Sequence, residues 1–367
     1  MNTSRGYSLP VRAIVAMLLS ACLLGVVAGC SSKQGEDGES AGSAGIVLKG
    51  AGSTFDSILF KSWFTAYHHS HPNVVVSYAV VGSGEGVRRF IGQNVDEKDR
   101  VDFGASDSAM SDGQIAQVSQ GVVMIPITAG GIVLAYNIPG YQGELRLSRE
   151  AYAGIFLGEI KNWNDPRIAR TNAGAKLPDL TITTVVRQDS SGTTFAFTKH
   201  LDAISLQFRG HYGPATFINW PGNAMRAPGN EGVAARIQQS AGSIGYIEYG
   251  FSRQLDLPIA TLENRDGKFV KPTEPAFVAG LASAELPENL RAFVPDPVGP
   301  NSYPIVTYSW VLLRSNNGDA AKAAMLRDLF RWCLQDGQQY SSGLGYIELP
   351  AGVAVKSLAA LSSVGPQ

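Results

Sequence analysis

Strand-like and helix-like stretches alternate along most of the chain. Ile46 to Lys49 is a short apolar run. After Gly50-Ala51-Gly52-Ser53-Thr54-Phe55 come Ile58, Leu59, Trp63, Phe64 and Tyr67, spaced to line one face of a helix. Val74 to Val81 (VVVSYAVV) is β-branched and predicts a strand. Gly82-Ser83-Gly84-Glu85-Gly86 follows, then a helical run through Val87, Phe90 and Ile91. Val101 to Ser106 predicts a strand ending at Asp107, with a capped helix start at Ser111. Val122 to Ile138 reads as two strands separated by a break at Gly130-Gly131. Thr181 to Val186 is strand-like and runs into Arg187 to Phe195 (RQDSSGTTF), which reads as a tight turn and a helix start. Near the end, PIVTYSWVLL predicts a strand and Ala320 to Leu334 a helix. Such alternation predicts an α/β fold with mainly parallel sheets. In these sheets ligands sit beyond the carboxyl ends of the strands, where four turns rich in Ser, Thr and Asp fall.

The N-terminus is set aside before any fold argument. Arg5 and Arg12 precede an uncharged apolar run, Ala13 to Val27, too short to span a bilayer comfortably. It ends in Val27-Ala28-Gly29-Cys30, which resembles the lipobox of bacterial lipoproteins. That resemblance implies a signal peptide at 1–29, cleavage before Cys30, and acylation of Cys30. Residues 30–45 then form a flexible tether: Ser31 to Gly45 is rich in Ser, Gly and charge, with a span of about 20 Å. The folded module would hang from a membrane in the cell envelope, facing the periplasm or the exterior. Cys22 leaves with the peptide, so Cys333 is alone and no disulfide framework is expected. Its place beside Trp332 in a helical run predicts a small buried apolar residue. Losing Arg5 and Arg12 leaves 28 bases against 31 acids, a net charge of −3, with no basic cluster for nucleic acid.

The four turns carry a common chemistry. Arg187 brings a planar fork of donors suited to an oxyanion. Ser191 and Thr193 bring hydroxyls, and Gly192 lets the backbone approach closely. Thr54 adds a hydroxyl, the N–H of Phe55 belongs to a helix start, and Ser83 lies between glycines. Helix N-termini converging on one anion would each favour it by about 0.3–1 kcal/mol. Asp107 is the odd member, because a carboxylate repels an anion unless the ligand carries a proton for it. Phosphate carries one near neutral pH and sulfate does not. Asp189 reads as the partner that holds and neutralises Arg187, and the alternative for that stretch is an ordinary capped helix with a surface ion pair.

GAGSTF, GSGEGV, VDFGASD and VVRQDSSGTTF, in this order, resemble the periplasmic phosphate-binding protein of the phosphate-specific ABC transporter. The likeness extends through FLGEIKNWNDPRI, INWPGNAMRAPGNEGV and SIGYIEYG to LGYIELP. It implies a two-lobe periplasmic-binding-protein fold of type II, joined by a double crossover, one lobe being 46–127 with 303–367 and the other 128–302. It implies phosphate held in the cleft of a monomer and delivered to a membrane permease, with no cofactor, metal or catalytic residue. The implied contacts are Thr54, Phe55 (N–H), Ser83, Asp107 as acceptor, Arg187, Ser191, Gly192 (N–H) and Thr193, with Asp189 behind Arg187. Three departures stand out. Glu85 adds an acid near the anion, which either points outward along the helix or weakens binding. Ser190 replaces a glycine, and the loop Met225-Arg226-Ala227-Pro228 is poorer in glycine.

Rival readings are a binder of another tetrahedral oxyanion (sulfate or arsenate), a lipoprotein that merely keeps the fold, and a phosphatase using Ser191. The phosphatase lacks a base: His68, His69 and His71 crowd a helix end, His200 follows a helix, and His211 lies in a loop. Trp163, Trp220, Tyr246 and Tyr249 read as core and lobe-edge packing rather than a sugar platform.

Overall fold

The computed structural model describes residues 45–365. The segment 1–29, Cys30 and the tether up to residue 44 lie outside the described residues. Among the described residues, no helix is long and apolar enough to cross a membrane.

The described residues form eleven strands: β1 Ile46–Gly52, β2 Val74–Val80, β3 Phe103–Ser106, β4 Val122–Asn137, β5 Arg146–Leu147, β6 Thr183–Arg187, β7 Met225–Ala227, β8 Ser243–Glu248, β9 Thr261–Glu263, β10 Phe269–Val270 and β11 Val306–Arg314. Eight form one sheet in the order β2-β1-β3-β11-β4-β8-β6-β7, and β10-β9-β5 form a small second one. The two flanks of the large sheet, β2-β1-β3 and β8-β6-β7, are parallel, as the alternation with helices predicts. The middle is antiparallel: β11 runs against both β3 and β4, and β4 against β8.

The predicted break at Gly130-Gly131 does not occur. β4 continues through both glycines for 16 residues, and what changes there is its partner. Val122 to Gly131 pair with β11, while Ile132 to Asn137 pair with β8. The glycines make room for rings: a Cβ on Gly131 would lie 2.2 Å from the Phe277 ring, and one on Gly130 would lie 2.9 Å from that of Phe55. Close packing, not a turn, explains this pair.

Helices cover the sheet by burying one face each. Ser57–Ser70 buries Leu59, Phe60, Trp63, Phe64 and Tyr67. Ala320–Leu334 has the predicted ends, is capped by Asp319 and buries Cys333 as a free thiol. Ser111 and Gln114 form a reciprocal capping box at a single helical turn. Trp163, Trp220 and Tyr246 are buried, and Tyr249 meets Phe277 edge-on, as expected of packing residues.

Three local expectations are corrected. Met225–Ala227 is the edge strand β7, held by parallel pairing to β6, not a loop. His211 ends the helix Leu206–His211, its ring bonded to the Gln207 carbonyl. His200 lies inside the helix Gly192–Ile204, not after it. Its Nδ1 donates to the Pro295 carbonyl at 2.6 Å, so Nε2 accepts from the Tyr152 hydroxyl at 2.9 Å.

Burial pushes the His200 pKa down to about 4, against the smaller upward pull of the Pro295 carbonyl. Below the ordinary histidine pKa the unfolded chain therefore takes up a proton that the folded chain refuses, and stability falls with pH. The loss should begin near pH 6.5 and level off near pH 4. Urea unfolding of wild type and His200→Gln across pH 4–7 checks this, because groups common to both cancel in the difference. The wild-type curve should drop relative to the variant's in that window; parallel curves would contradict it.

Candidate functional site

β1, β2 and β3 run in the direction of β4 on the side of its first half, and β6 runs the opposite way on the side of its second half, so their carboxyl ends face one another and the turns that follow them meet. The end of β2 is tied to the end of β1, with Val81 N–H and Gly82 N–H both donating to the Gly52 carbonyl. The Ser83 turn touches the turn after β6, where Gly84 N–H donates to the Ser190 carbonyl at 3.0 Å.

At the meeting point stands Asp107, only 1 % exposed. Its Oδ1 accepts from Ser53 Oγ and Ser83 Oγ, both at 2.7 Å, and its Oδ2 accepts from Thr193 Oγ1 at 2.8 Å. Gly192 abuts the same group: a Cβ there would lie 2.4 Å from Asp107 Oδ1 and 2.6 Å from Ser83 Oγ. No larger residue fits without displacing one of them, which is the local reason for glycine.

Ser83 is the first residue of the helix Ser83–Ile91, and Gly192 opens the helix Gly192–Ile204. The leading N–H groups of both have no intrahelical acceptor by position. Ser191 caps the second helix, its Oγ accepting from Thr194 N–H at 3.1 Å, which leaves its O–H free to donate elsewhere. Thr54 and Phe55 precede the Ser57–Ser70 helix. Phe55 N–H donates to Ser53 Oγ at 2.9 Å.

Arg187 is buried at the end of β6 and pairs with Asp189 as predicted. The pair is not on the surface, since the two side chains are 2 % and 21 % exposed. Arg187 Nε donates to Asp189 Oδ1 at 2.9 Å, Nη2 contacts Oδ2, and Nη1 reaches Thr193 Oγ1 at 3.5 Å. Asp189 Oδ1 also accepts from Gly229 N–H at 3.0 Å. Burial raises the Asp189 pKa, but the bonds and charge of Arg187 outweigh it and leave it below the ordinary value.

Glu85 turns along its helix toward Arg88 and Arg89, bonding their Nε atoms at 2.7 and 2.8 Å. Arg88 foremost, and Arg89 against a partial burial penalty, hold its pKa at about 2. Its charge is therefore neutralised on the helix flank.

The structure thus brings together Thr54, Phe55, Ser83, Asp107, Arg187, Asp189, Ser191, Gly192 and Thr193. It adds two residues the sequence reading passed over. Ser53 bonds Asp107 directly. Asn230, at the start of the helix Gly229–Gln239, reaches Thr54 Oγ1 with its backbone N–H (3.1 Å) and side-chain Nδ2 (2.9 Å). Both stood inside quoted motifs, GAGSTF and APGNEGV, but nothing local marked them. The Thr54–Asn230 contact spans 176 residues.

Two further acids lie nearby, fully buried. Asp56 Oδ2 accepts from Ser309 Oγ at 2.7 Å, and Glu248 Oε1 from Gly250 N–H at 2.7 Å. The other oxygen of each has no partner among the described residues. Burial above all, with neighbouring carboxylates adding to it, pushes both pKa values well up. Burial thus disfavours charge on both acids, and the ion pair of the site is Arg187 with Asp189.

Removing Asp189 would strand the buried guanidinium. Breaking such a pair costs about 3 kcal/mol. Asp189→Ala should therefore lower the unfolding free energy by about that amount in urea, without change of m-value, and Asp189→Asn by less. A loss below ~0.5 kcal/mol would mean the pair behaves as an ordinary surface bridge.

Comparisons with known proteins agree with this architecture. Residues 39–336 match the model of the PBP superfamily domain. The "Phosphate-binding protein PstS" of Pasteurella multocida is 36 % identical over 312 residues, covering 84 % of this chain and 88 % of that protein. That of Methanocaldococcus jannaschii is 33 % identical and covers 96 % of each chain. Among solved structures, a phosphate-binding protein from Stenotrophomonas maltophilia superposes with a TM-score of 0.70 at 21 % identity, covering 86 % of this chain and 93 % of that one. A periplasmic phosphate-binding protein (PfluDING) solved with phosphate gives 0.71, also at 21 % identity and with the same coverage. Those two establish the two-lobe fold, and the sequence relatives establish the family. This chain belongs to the PstS phosphate-binding proteins of the PBP superfamily.

Proposed function

We propose that the protein binds inorganic phosphate between its two lobes and delivers it to the membrane subunits of a phosphate-specific ABC transporter. The observation that carries this is Asp107: a buried carboxylate ringed by hydroxyls, beside an arginine already neutralised by Asp189. Such a site has donors for an anion but also one acceptor that demands a proton from it. Monohydrogen phosphate meets both requirements, whereas sulfate leaves the acceptor facing a bare oxyanion.

In this reading Thr54, Ser83, Arg187, Ser191 and Thr193, with the N–H groups of Phe55 and Gly192, donate to the phosphate oxygens. Asp107 accepts the ligand's proton and Asp189 holds Arg187 in place. A bound phosphate would compete with Asp107 for the hydrogens of Ser83 and Thr193, and with Ser53 for the N–H of Phe55. The lobes would divide as 46–127 with 303–367, and 128–302. The change of partner along β4, between Gly131 and Ile132, supports a crossover in this strand, a few residues after the expected boundary. Hinge closure over the anion would then report loading to the permease. A hydrolytic role for Ser191 is disfavoured, because its Oγ caps a helix and the His200 ring, on that same helix, is committed to Tyr152 and Pro295.

Calorimetric titration between pH 5 and 9 tests this reading. Wild type should bind one phosphate per monomer and prefer it to sulfate by about 10⁴-fold or more. In Asp107→Asn the acceptor becomes partly a donor, so the preference should narrow by orders of magnitude. Arg187→Ala should lose most of the affinity. Equal binding of sulfate and phosphate by wild type would overturn the proposal.

The membrane attachment is part of the same reading. It rests on the sequence Val27-Ala28-Gly29-Cys30, with delivery occurring at the outer face of the membrane. Cells fed a clickable fatty acid should label the wild-type protein and not Cys30→Ala, which should be released from the membrane fraction. Equal labelling of both would exclude Cys30 as the anchor.

A further inference from the structure

Asn230 is fully buried, and every polar atom it carries is used. Its Oδ1 accepts from Glu248 N–H at 3.1 Å, which fixes the orientation of the amide, since that N–H can only meet the oxygen. The NH₂ end must then face the other way. One of its contacts is Thr54 Oγ1 at 2.9 Å and the other Thr193 Oγ1 at 3.3 Å. The backbone N–H of Asn230 gives Thr54 Oγ1 a second donor at 3.1 Å.

The count of hydrogens decides what this does. A threonine hydroxyl has one donor hydrogen and two acceptor lone pairs. Thr54 Oγ1 receives two N–H donors from Asn230, so both lone pairs are taken and its own hydrogen is free only to donate. Thr193 Oγ1 receives Asn230 Nδ2 and Arg187 Nη1 (3.5 Å), and donates its hydrogen to Asp107. Asn230 thus fills both acceptor sites of Thr54 and, together with Arg187, those of Thr193. Thr54 follows β1 and Thr193 follows β6, strands on opposite sides of the central β11-β4 pair, so the amide bridges the two flanks.

We propose that Asn230 is a positioning residue for the anion: it polarises the hydroxyls of Thr54 and Thr193 so that they present hydrogens, not lone pairs, to phosphate. The proposal rests on the phosphate reading of the site. A freely rotating hydroxyl beside an anion would have to be oriented on binding. One whose acceptor sites are already filled is oriented in advance, which lowers the cost of binding.

The test is a double-mutant cycle on phosphate affinity with Asn230→Ala, Thr54→Val and the pair, with thermal midpoints as a folding check. Thr54→Val removes the hydroxyl and keeps the shape. Each single change should weaken phosphate about 10–100-fold, the range for a hydrogen bond to a charged group. Because Asn230 acts partly through Thr54, its penalty in the Thr54→Val background should shrink by at least about threefold. Asn230→Asp provides a second readout that does not depend on creating a gap. It keeps the acceptor for Glu248 N–H but puts an acceptor where the NH₂ was. Its affinity should rise relative to wild type as pH falls and the new carboxyl gains a hydrogen, with Thr54→Val blunting that rise. Penalties that simply multiply in the cycle, or Asn230→Ala binding like wild type, would overturn the proposal. Failure of wild type to bind phosphate would instead overturn the function on which it rests.

Discussion

Asp107 is the group on which the architecture turns. It is buried, and its carboxylate takes hydroxyl hydrogens from Ser53, Ser83 and Thr193, which follow β1, β2 and β6. A buried carboxylate left unpaired is costly by several kcal/mol. The fold must therefore deliver those hydroxyls accurately, and the need constrains how the strand ends are arranged. Glycines at 52, 82 and 192 meet that constraint. A Cβ on Gly52 would lie 2.0 Å from the Ala105 carbonyl oxygen, and one on Gly82 would lie 2.2 Å from Asp189 Oδ2. Both have positive φ, 147° and 89°, where a side chain would be strained in any case.

The charges around this centre are largely matched or suppressed. Arg187 is matched by Asp189, Glu85 by two arginines on its own helix, and burial disfavours the charged forms of Asp56 and Glu248. The opposite slopes of these groups matter for acid stability. A lowered histidine pKa removes stability as pH falls, while the raised pKa values of Asp56 and Glu248 add it over the range above their ordinary values. Both effects follow from the same dry interior.

Much of this was legible along the chain because it is local. Turn chemistry at Gly82-Ser83-Gly84 and Ser191-Gly192-Thr193 announces itself by residue type, and the Ala320–Leu334 helix by its helix-like run. Arg187 with Asp189 was readable because two residues on one turn can share a bond. The Gly130-Gly131 pair misled because glycine signals two things, a turn and a close contact, and only the Phe277 and Phe55 rings reveal which applies. His200 misled because the helix continues to Ile204 beyond a Lys-His pair that looks like a helix end. Ser53 and Asn230 were out of reach for another reason. Their roles exist only once β1, β3 and the helix after β7 are side by side, and a serine or asparagine in a turn has a sufficient local explanation.

In the proposed reading of the site, selectivity follows from hydrogens more than from charge. A site built on lysines would attract any oxyanion, with a strength set by salt and net charge. This one relies on neutral hydroxyls and backbone N–H groups, with a guanidinium whose charge is already met. Neutral donors are effective only when desolvated and pre-aimed, since water offers the anion equivalent bonds in bulk. Burial of Thr54, Ser83, Ser191 and Thr193 supplies the first condition. The second is helped where a hydroxyl's acceptor side is occupied, as by Thr194 N–H for Ser191 and by Asn230 for Thr54 and Thr193. With the donors so committed, one acceptor among them, Asp107, would on that reading suffice to make the proton on the guest the property that is read.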